Sequence, residues 1–274
     1  MKIGHFKKIF KATKAEVDTF KEVQDSIVVE EALQINLNGK AFTVTMRTPG
    51  SDRFLIRGLL FTEGIYTAGE ALKMKVAEFT NEGYPAVVDV WIQPEYLGGA
   101  YYQSRSMLSV SSCGICGKRE LNDLLKGGGP LKTEEMVDPG LIKKMYGIMR
   151  SNQTAFKCTG GSHAAAVFDK NGVLIAVEED IGRHNAVDKV IGNILCSPED
   201  YQPLFMLVSG RVSYEIVSKT YKAGIPFLAA VSSPSSLSIE SANEMGITLM
   251  AFCRGDVLTC YTQKDRMVAS HKTL

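Results

Sequence analysis

The chain has 274 residues, of which 45% are hydrophobic and 22% are charged, and its formal net charge is +1. This is the balance of a soluble globular protein, and it gives no basic field that would attract nucleic acid or a membrane surface. No stretch approaches the roughly 18 apolar residues that a membrane helix needs, and the basic N-terminus lacks the apolar run of a signal peptide. We therefore expect a cytoplasmic protein with reduced thiols, which binds neither nucleic acid nor membrane.

The first half of the chain is predicted to be α+β, with mostly antiparallel strands. Residues 1–25 are polar and charged, and we expect a frayed start there. From residue 28 the pattern is extended, and Asn38-Gly39 predicts a hairpin turn between two strands. Apolar residues at helical spacing then predict a helix over 52–64, with Asp52 as its N-cap.

A domain boundary is predicted near the middle of the chain. Strand-like sequence with a turn near Gly83 completes the first half. The run Lys-Gly-Gly-Gly-Pro at 126–130 is the strongest linker signal, and the chain length also favours two domains. We place an N-terminal domain at residues 26–125, ending in a cysteine loop, and a second domain at residues 134–264.

Strands and helices alternate in the second half. A helix with a break at Pro139 is predicted over 134–150, and Asn171-Gly172 predicts another hairpin. Further helices are predicted over 185–197, 212–224 and 235–246, and strands over 203–210, 225–233, 247–255 and 257–262. This alternation implies right-handed crossovers and a largely parallel sheet covered on both faces, so the second domain is predicted to be α/β.

Two cysteines, Cys113 and Cys116, lie in the segment SSCGICGKR. Thiols three positions apart can reach one another or one shared sulfur atom, and the glycines around them leave the sulfurs accessible. Lys118, Arg119 and a predicted helix start favour the thiolate over the thiol. Because a thiolate attacks disulfides and accepts sulfur as a persulfide, the pair indicates exposed sulfur chemistry.

The spacing of this CxxC pair also fits two further kinds of site. Half of a zinc site would need two more ligands, and the sequence has no second CxxC or His-rich partner, so we predict no metal site. A thiol–disulfide oxidoreductase shares the spacing, and the spacing can also arise by coincidence. The remaining four cysteines are expected to be small buried residues: Cys158, Cys196, Cys253 and Cys260.

Loops that suit anions recur around the predicted strand ends. They include Gly182-Arg183-His184, Ser209-Gly210-Arg211, the segment 159–163 and the serine-rich segment 232–236. Helix N-termini offer free N–H groups, arginines add bidentate donors, and such loops gather at the carboxyl edge of a parallel sheet, so we predict a ligand with several phosphates. The competing interpretation is ordinary helix caps and turns, with Asn185 and Ser213 as caps and with His163 and His184 as core or cap histidines.

Several segments together resemble the FdhD family of formate dehydrogenase accessory sulfurtransferases. They are MRTPGSDRFLIRGLLFTEG, SSCGICG, TGGSHAA, EDIGRHNAVDKVIG, SGRVSYEIVSK and GITLMAFCRG. The resemblance covers roughly residues 28–262. It implies a small N-terminal domain followed by a three-layer α/β/α domain similar to cytidine deaminases, without their zinc chemistry.

The resemblance also implies a function. Cys113 would carry persulfide sulfur from a cysteine desulfurase to the bis-molybdopterin guanine dinucleotide cofactor, a cargo that the catalytic subunit of formate dehydrogenase needs. Cys116 matches the family's second cysteine. The family's cofactor-binding stretch falls on Phe252, Cys253, Arg254, Gly255, Asp256 and Val257. GDP-like ligands would mimic the cofactor, and we expect a homodimer.

Two rival functions are compatible with the same residues. The chain could hold and insert the cofactor as a chaperone whose thiols are incidental. It could also be a thiol–disulfide oxidoreductase that uses Cys113 and Cys116 as its redox pair. Either molybdenum or tungsten fits the cofactor that the resemblance implies.

Overall fold

The structure, a computed structural model, describes residues 6–99, 101 and 129–268. The predicted sulfur-carrying cysteines, Cys113 and Cys116, lie outside these residues, as does most of the predicted linker. Within the described ranges, no helix is long and apolar enough to cross a membrane.

A two-stranded hairpin begins the described chain. Strand β1 (Lys7–Glu16) pairs antiparallel with β2 (Thr19–Val28) along its whole length. The expectation of a frayed start over residues 1–25 was therefore wrong for the described part of that segment. The hairpin's apolar side chains are largely exposed, Phe20 at 81%, so no buried face marked these strands in the sequence.

Four strands form the sheet of the N-terminal half, in the order β4-β3-β6-β5. They are β3 (Glu31–Leu37), β4 (Lys40–Arg47), β5 (Lys73–Phe79) and β6 (Pro85–Trp91). All neighbours are antiparallel except β3 and β6, which agrees with the predicted antiparallel character. The hairpin at Asn38-Gly39 is confirmed, and both residues have the positive φ that such a tight turn requires.

Helix α1 (Asp52–Thr62) packs against this sheet, close to its predicted bounds. Leu55, Ile56 and Leu60 are buried against the strands' apolar side chains. The N-cap is Ser51, not Asp52 as predicted. The Asp52 carboxylate instead accepts a hydrogen bond from Arg47, whose guanidinium is fully buried (Nε to Oδ1, 2.8 Å).

The second half contains a six-stranded mixed sheet in the order β12-β11-β10-β9-β7-β8. Its strands are β7 (His163–Phe168), β8 (Leu174–Asp180), β9 (Phe205–Val208), β10 (Phe227–Ala230), β11 (Thr248–Arg254) and β12 (Val257–Cys260). Strands β8, β9, β10 and β11 point in one direction, and β7 and β12 run opposite to them. The prediction of a largely parallel sheet was too strong, because β7 lies antiparallel to both of its neighbours, β8 and β9, and a tight turn at Gly255 reverses β12. The hairpin predicted at Asn171-Gly172 is present and joins β7 to β8.

Helices cover both faces of this sheet. They are α2 (Pro139–Asn152), α4 (Arg183–Cys196), α5 (Tyr214–Lys222) and α6 (Ser236–Glu244), whereas the short helix α3 (Thr154–Thr159) packs against the hairpin β1–β2. Two 3-10 turns lie at Pro94–Tyr96 in the N-terminal half and at Lys264–Arg266. Met206 and Val208 of β9 pack towards α4, α5 and α6, while Phe205 and Leu207 pack towards α2. Helix α2 begins at Pro139 instead of continuing through it, because Asp138 caps it by accepting from the Gly140 N–H (2.6 Å).

The two halves meet where α1 crosses α4. A methyl group added at Gly58 would lie 1.8 Å from the Asp188 carbonyl oxygen, and one at Gly192 would lie 1.8 Å from that of Phe54, so the backbones touch. Beside the crossing, the buried Lys219 ammonium donates to Asp188 Oδ1 (2.8 Å) and to Thr62 Oγ1 (2.8 Å). An ion pair between α4 and α5, hydrogen-bonded to Thr62 of α1, thus links the two halves.

Candidate functional site

The segments predicted to bind anions meet at one edge of the six-stranded sheet. Because β7 runs antiparallel to β8 and β9, its first residue lies at the same edge of the sheet as the carboxyl ends of β8, β9, β10 and β11. We call this the carboxyl edge. It comprises residues 162–163, 182–184, 209–211, 231–235 and 252–257. Sequence patterns predicted that the loops near 163, 182–184, 209–211 and 232–236 gather, whereas the role of 252–257 was implied by the family resemblance. The sheet brings all of them to one edge.

Backbone hydrogen bonds tie the loops of the carboxyl edge to one another. The Val212 N–H donates to Ser233 O (3.1 Å), and the Ser235 N–H donates back to Val212 O (3.0 Å). The Phe252 N–H donates to Ser232 O (3.3 Å). Ser209 closes on β7 by accepting from the Ala164 N–H at its hydroxyl (2.9 Å). The edge is therefore held by its own backbone before any ligand arrives.

Two basic side chains pack around Gly210. A methyl group there would lie 3.3 Å from Arg183 Cβ and 3.4 Å from His163 Nδ1, so glycine is what lets both approach the loop. Arg183 Nε is buried without a hydrogen-bond partner in the described part of the chain. The neighbouring Arg211 is exposed. Two guanidinium groups are thus available for an anion, one of them with an unused buried donor.

His184 has a structural partner on α5. Its Nε2 lies 2.8 Å from Glu215 Oε2 and 3.1 Å from Ser213 Oγ. Ser213 is the N-cap residue of α5, as predicted, but its side chain makes no cap hydrogen bond and contacts His184 instead. The interaction fixes the first turn of α4 to the first turn of α5.

A buried carboxylate sets the position of Arg183 and His184. Asp180 Oδ1 accepts from the Gly182 N–H (2.8 Å) and from Asn185 Nδ2 (3.1 Å). Its Oδ2 accepts from the Thr48 N–H (3.1 Å) and forms an ion pair with Lys189 (2.7 Å). Four donors satisfy this fully buried group, and they link the N-terminal half to the start of α4.

The same contacts correct one sequence prediction and reveal what it missed. The N-cap of α4 is Gly182, so the prediction of Asn185 as a cap was wrong. Asn185 lies within the helix, is buried, and donates to Met46 O (2.7 Å). Sequence reasoning gave Asp180 and Lys189 no role, because the same motif holds several other charged residues and nothing in the sequence singles out this pair.

The electrostatics of His163 follow from this crowding. Burial lowers the pKa of His163, and Arg183 lowers it further. Asp180, its register partner on β8, opposes these effects, while Arg211 and His184 add to them. The imidazole is therefore held towards its neutral form in a surrounding that is otherwise basic.

The predicted cofactor-binding stretch forms the end of β11, its turn and the start of β12. Phe252 has a positive φ of 52° at a β-bulge and its side chain is 41% exposed beside the edge. Arg254 Nε donates to Val231 O (3.2 Å), and Asp256 pairs with Lys143 of α2. Gly255 also has a positive φ, as the turn into β12 requires, and Val257 is exposed.

The four scattered cysteines differ in their surroundings. Cys253 is buried, and burial raises the pKa of its thiol to about 11, although contacts with Ala230 and Tyr146 oppose the rise. Cys196 and Cys260 are partly buried. Cys158 is exposed at the end of the short helix α3, so the expectation that all four are buried was wrong for it. The Cys253 thiol is protonated near neutral pH, as befits a packing residue.

The fold is a mixed α/β architecture, with antiparallel N-terminal sheets beside a six-stranded mixed sheet. The carboxyl edge of the mixed sheet carries hydrogen-bond donors that suit an anion. The chain belongs to the FdhD/NarQ family, whose sequence profile matches residues 28–268. The hairpin β1–β2 thus lies almost entirely outside the matched region.

Two comparisons agree with this family. A protein of Mycobacterium tuberculosis named sulfur carrier protein FdhD is 43% identical over 259 residues, covering 89% of this chain and 92% of that protein. A crystal structure of a candidate formate dehydrogenase accessory protein from Desulfotalea psychrophila has a TM-score of 0.75 at 22% identity. The alignment with that structure covers 96% of this chain and all of the other, which supports a shared fold.

A third comparison bears on the predicted deaminase likeness. A guanine deaminase from Nitrosomonas europaea has a TM-score of 0.32 at 14% identity, covering 53% of this chain and 88% of the other. A TM-score this low does not support a shared fold. The similarity to cytidine deaminases and the domain division at residues 26–125 and 134–264 therefore stay predictions.

Proposed function

We propose that this chain is a cytoplasmic sulfur carrier that takes persulfide sulfur from a cysteine desulfurase and delivers it to bis-molybdopterin guanine dinucleotide for formate dehydrogenase. What supports the proposal is membership of the FdhD/NarQ family, together with the meeting of distant basic segments at one sheet edge. Its partners would be the desulfurase, the catalytic subunit of formate dehydrogenase and a second copy of the chain.

The proposed sulfur chemistry uses Cys113 and Cys116. The Cys113 thiolate attacks the terminal sulfur of the desulfurase persulfide, so one S–S bond forms, one breaks, and the desulfurase cysteine leaves as a thiolate. Attack by Cys116 on the inner sulfur of the loaded Cys113 then forms a disulfide and releases the terminal sulfur as sulfide for the metal of the cargo. A thiol reductant returns the pair to its starting state.

The proposed binding role falls on the carboxyl edge. The diphosphates of the guanine dinucleotide would lie against the first turns of α4 and α5, where backbone N–H groups and the helix dipole favour anions. Arg183 and Arg211 supply guanidinium donors, and Arg183 Nε has no other partner among the described residues. The exposed ring of Phe252 offers a flat apolar surface for a base, and Ser209 and Gly210 let the phosphates approach the backbone.

Mass spectrometry tests the proposal directly. After incubation of the full chain with a cysteine desulfurase and cysteine, the peptide containing Cys113 should gain one sulfur atom, and Cys113→Ala should abolish the gain. Cys253→Ala is the matched control, and it should load normally because the Cys253 thiol is buried and protonated.

The same variants separate the rival functions when each is produced with formate dehydrogenase. A Cys113→Ala protein that still activates the dehydrogenase would favour an insertion chaperone. Turnover of model disulfides through a reversible Cys113–Cys116 disulfide, with no sulfur gain, would favour a thiol–disulfide oxidoreductase.

A further inference from the structure

His163 stands at the centre of the carboxyl edge. It begins β7, it is half-buried, and its Nδ1 packs against the backbone of Gly210, beside the aliphatic part of Arg183. Its charged neighbours come from three other elements: Asp180 from β8, Arg183 and His184 from α4, and Arg211 from the loop after β9. A ligand held by the two arginines must therefore lie close to this imidazole.

We propose that His163 is a further binding residue for the diphosphate and that it takes up one proton from solvent when the diphosphate binds. This inference rests on the proposed function, because it concerns the site that the proposed cofactor occupies. It goes beyond that function by assigning a residue and by linking binding to pH.

The charges around His163 explain the proton uptake. Without ligand, burial, Arg183, Arg211 and His184 together outweigh Asp180, so the pKa of His163 lies below its ordinary value. The Asp180 carboxylate is already engaged by Lys189 and Thr48, and Glu215 is engaged by His184. A bound diphosphate adds two negative charges beside the imidazole and offsets the positive charges of Arg183 and Arg211, so it raises the pKa of His163.

The sign of the pH dependence follows from this shift. Below the pKa of the free protein, His163 is protonated in both states, and the affinity is at its highest. Between the pKa of the free and that of the bound protein, binding requires a proton, so the dissociation constant rises by up to about tenfold per pH unit. Above the pKa of the bound protein, the affinity is low and no longer depends on this group.

Calorimetric titration with GDP-mannose tests the inference. The diphosphate of this probe is a diester, like that of the dinucleotide, and it does not itself titrate near neutral pH as the terminal phosphate of GDP does. Titrations at one pH in buffers of different ionisation enthalpy give the number of protons taken up. Near pH 7, the number of protons taken up per bound probe should be clearly above zero and should not exceed about one.

Two histidine variants identify the group that takes up the proton. His163→Asn should bind the probe more weakly and should take up no proton, whereas His184→Gln should still take one up. Melting temperatures without ligand show whether each variant folds. If His163→Asn does not fold, the imidazole signals of the wild-type protein, recorded by NMR with and without probe, report the protonation of His163 instead.

The outcomes distinguish this inference from the function on which it rests. Binding without proton uptake, or equal uptake by wild type and His163→Asn, would overturn the role of His163 and leave the cofactor site standing. No binding of GDP-mannose or GDP at any pH would overturn the proposed cofactor site and the inference together.

Discussion

The two ends of one sequence motif serve different purposes. The first turn of α4, with Arg183 and His184, faces the carboxyl edge and carries partly exposed basic groups. About one and two turns further on, Asp188 and Gly192 face α1 and α5 and are buried against backbone and an ammonium group. Most of a long recognisable motif can therefore be structural, while a short stretch of it lies at the carboxyl edge, where we propose that the ligand binds.

The buried end of the motif should be the most sensitive to substitution. Lys219→Met leaves the Asp188 carboxylate buried with Thr62 as its remaining side-chain donor. Burial already raises the pKa of Asp188 even with Lys219 present, so losing the ammonium should cost about 3–5 kcal/mol of unfolding free energy. Denaturant unfolding measures this loss.

A double variant shows whether the cost comes from an orphaned charge. Asp188→Leu combined with Lys219→Met removes both charges, and it should be clearly more stable than Lys219→Met alone. If the single variant unfolds like the wild type, or if the double variant is no better than the single one, the pair does not hold the helices as described.

The glycine at the helix crossing should come next in sensitivity. A methyl group from Gly192→Ala would meet the Phe54 carbonyl oxygen at 1.8 Å, so α1 and α4 must move apart, at a cost of about 1–3 kcal/mol. The matched control is Gly147→Ala on the exposed face of α2, where nothing lies within 4 Å of the added methyl group. That change should stabilise the protein slightly through helix propensity. Equal effects of the two substitutions would contradict the close crossing.

At the carboxyl edge, which the exposed end of the motif faces, binding should change and stability should not. Arg211→Ala removes a charged donor from the carboxyl edge, and it should raise the dissociation constant for GDP about ten- to hundredfold. Its unfolding free energy should stay within about 0.5 kcal/mol of wild type, because Arg211 is exposed. Arg150→Ala, exposed on α2, is the control and should bind GDP normally. A stable Arg211→Ala protein with unchanged affinity for GDP would show that the phosphates do not bind at Arg211.

The smallest effect is expected for alkylation of the Cys253 thiol. Its pKa of about 11 keeps the thiolate scarce near neutrality, and alkylation by iodoacetamide should accelerate about tenfold per pH unit as the pH rises towards that value. Peptide mass spectrometry should find Cys158, which is exposed, labelled well before Cys253 at pH 7. Labelling of Cys253 as fast as Cys158 would contradict a buried, protonated thiol at this position.

Local patterns predicted the elements better than they predicted their assembly. The turns at Asn38-Gly39 and Asn171-Gly172 and the helix from Asp52 follow from short-range signals, and all are present. The hairpin β1–β2 was missed because its pairing does not depend on a buried face. The mixed direction of the second sheet was missed because strand pairing is a long-range property.

For the site, residue types predicted the loops but not their supports. Arginines and glycines after strands indicated anion binding, and the structure brings 182–184, 209–211 and 252–257 to one edge. Asp180 and Lys189, nine positions apart, form an ion pair, and both also bond to Thr48, which lies far away in sequence. Nothing in local spacing indicates such a contact, so the group that positions Arg183 could be found only in three dimensions.

Hydrogen exchange with and without GDP shows whether the carboxyl edge is a diphosphate site. We expect slower exchange in the backbone amides of 182–184, 209–211 and 252–257, and little change in the sheet β4-β3-β6-β5. Saturating GDP that leaves these three segments unchanged, or that protects only the N-terminal sheet, would contradict a diphosphate site at this edge.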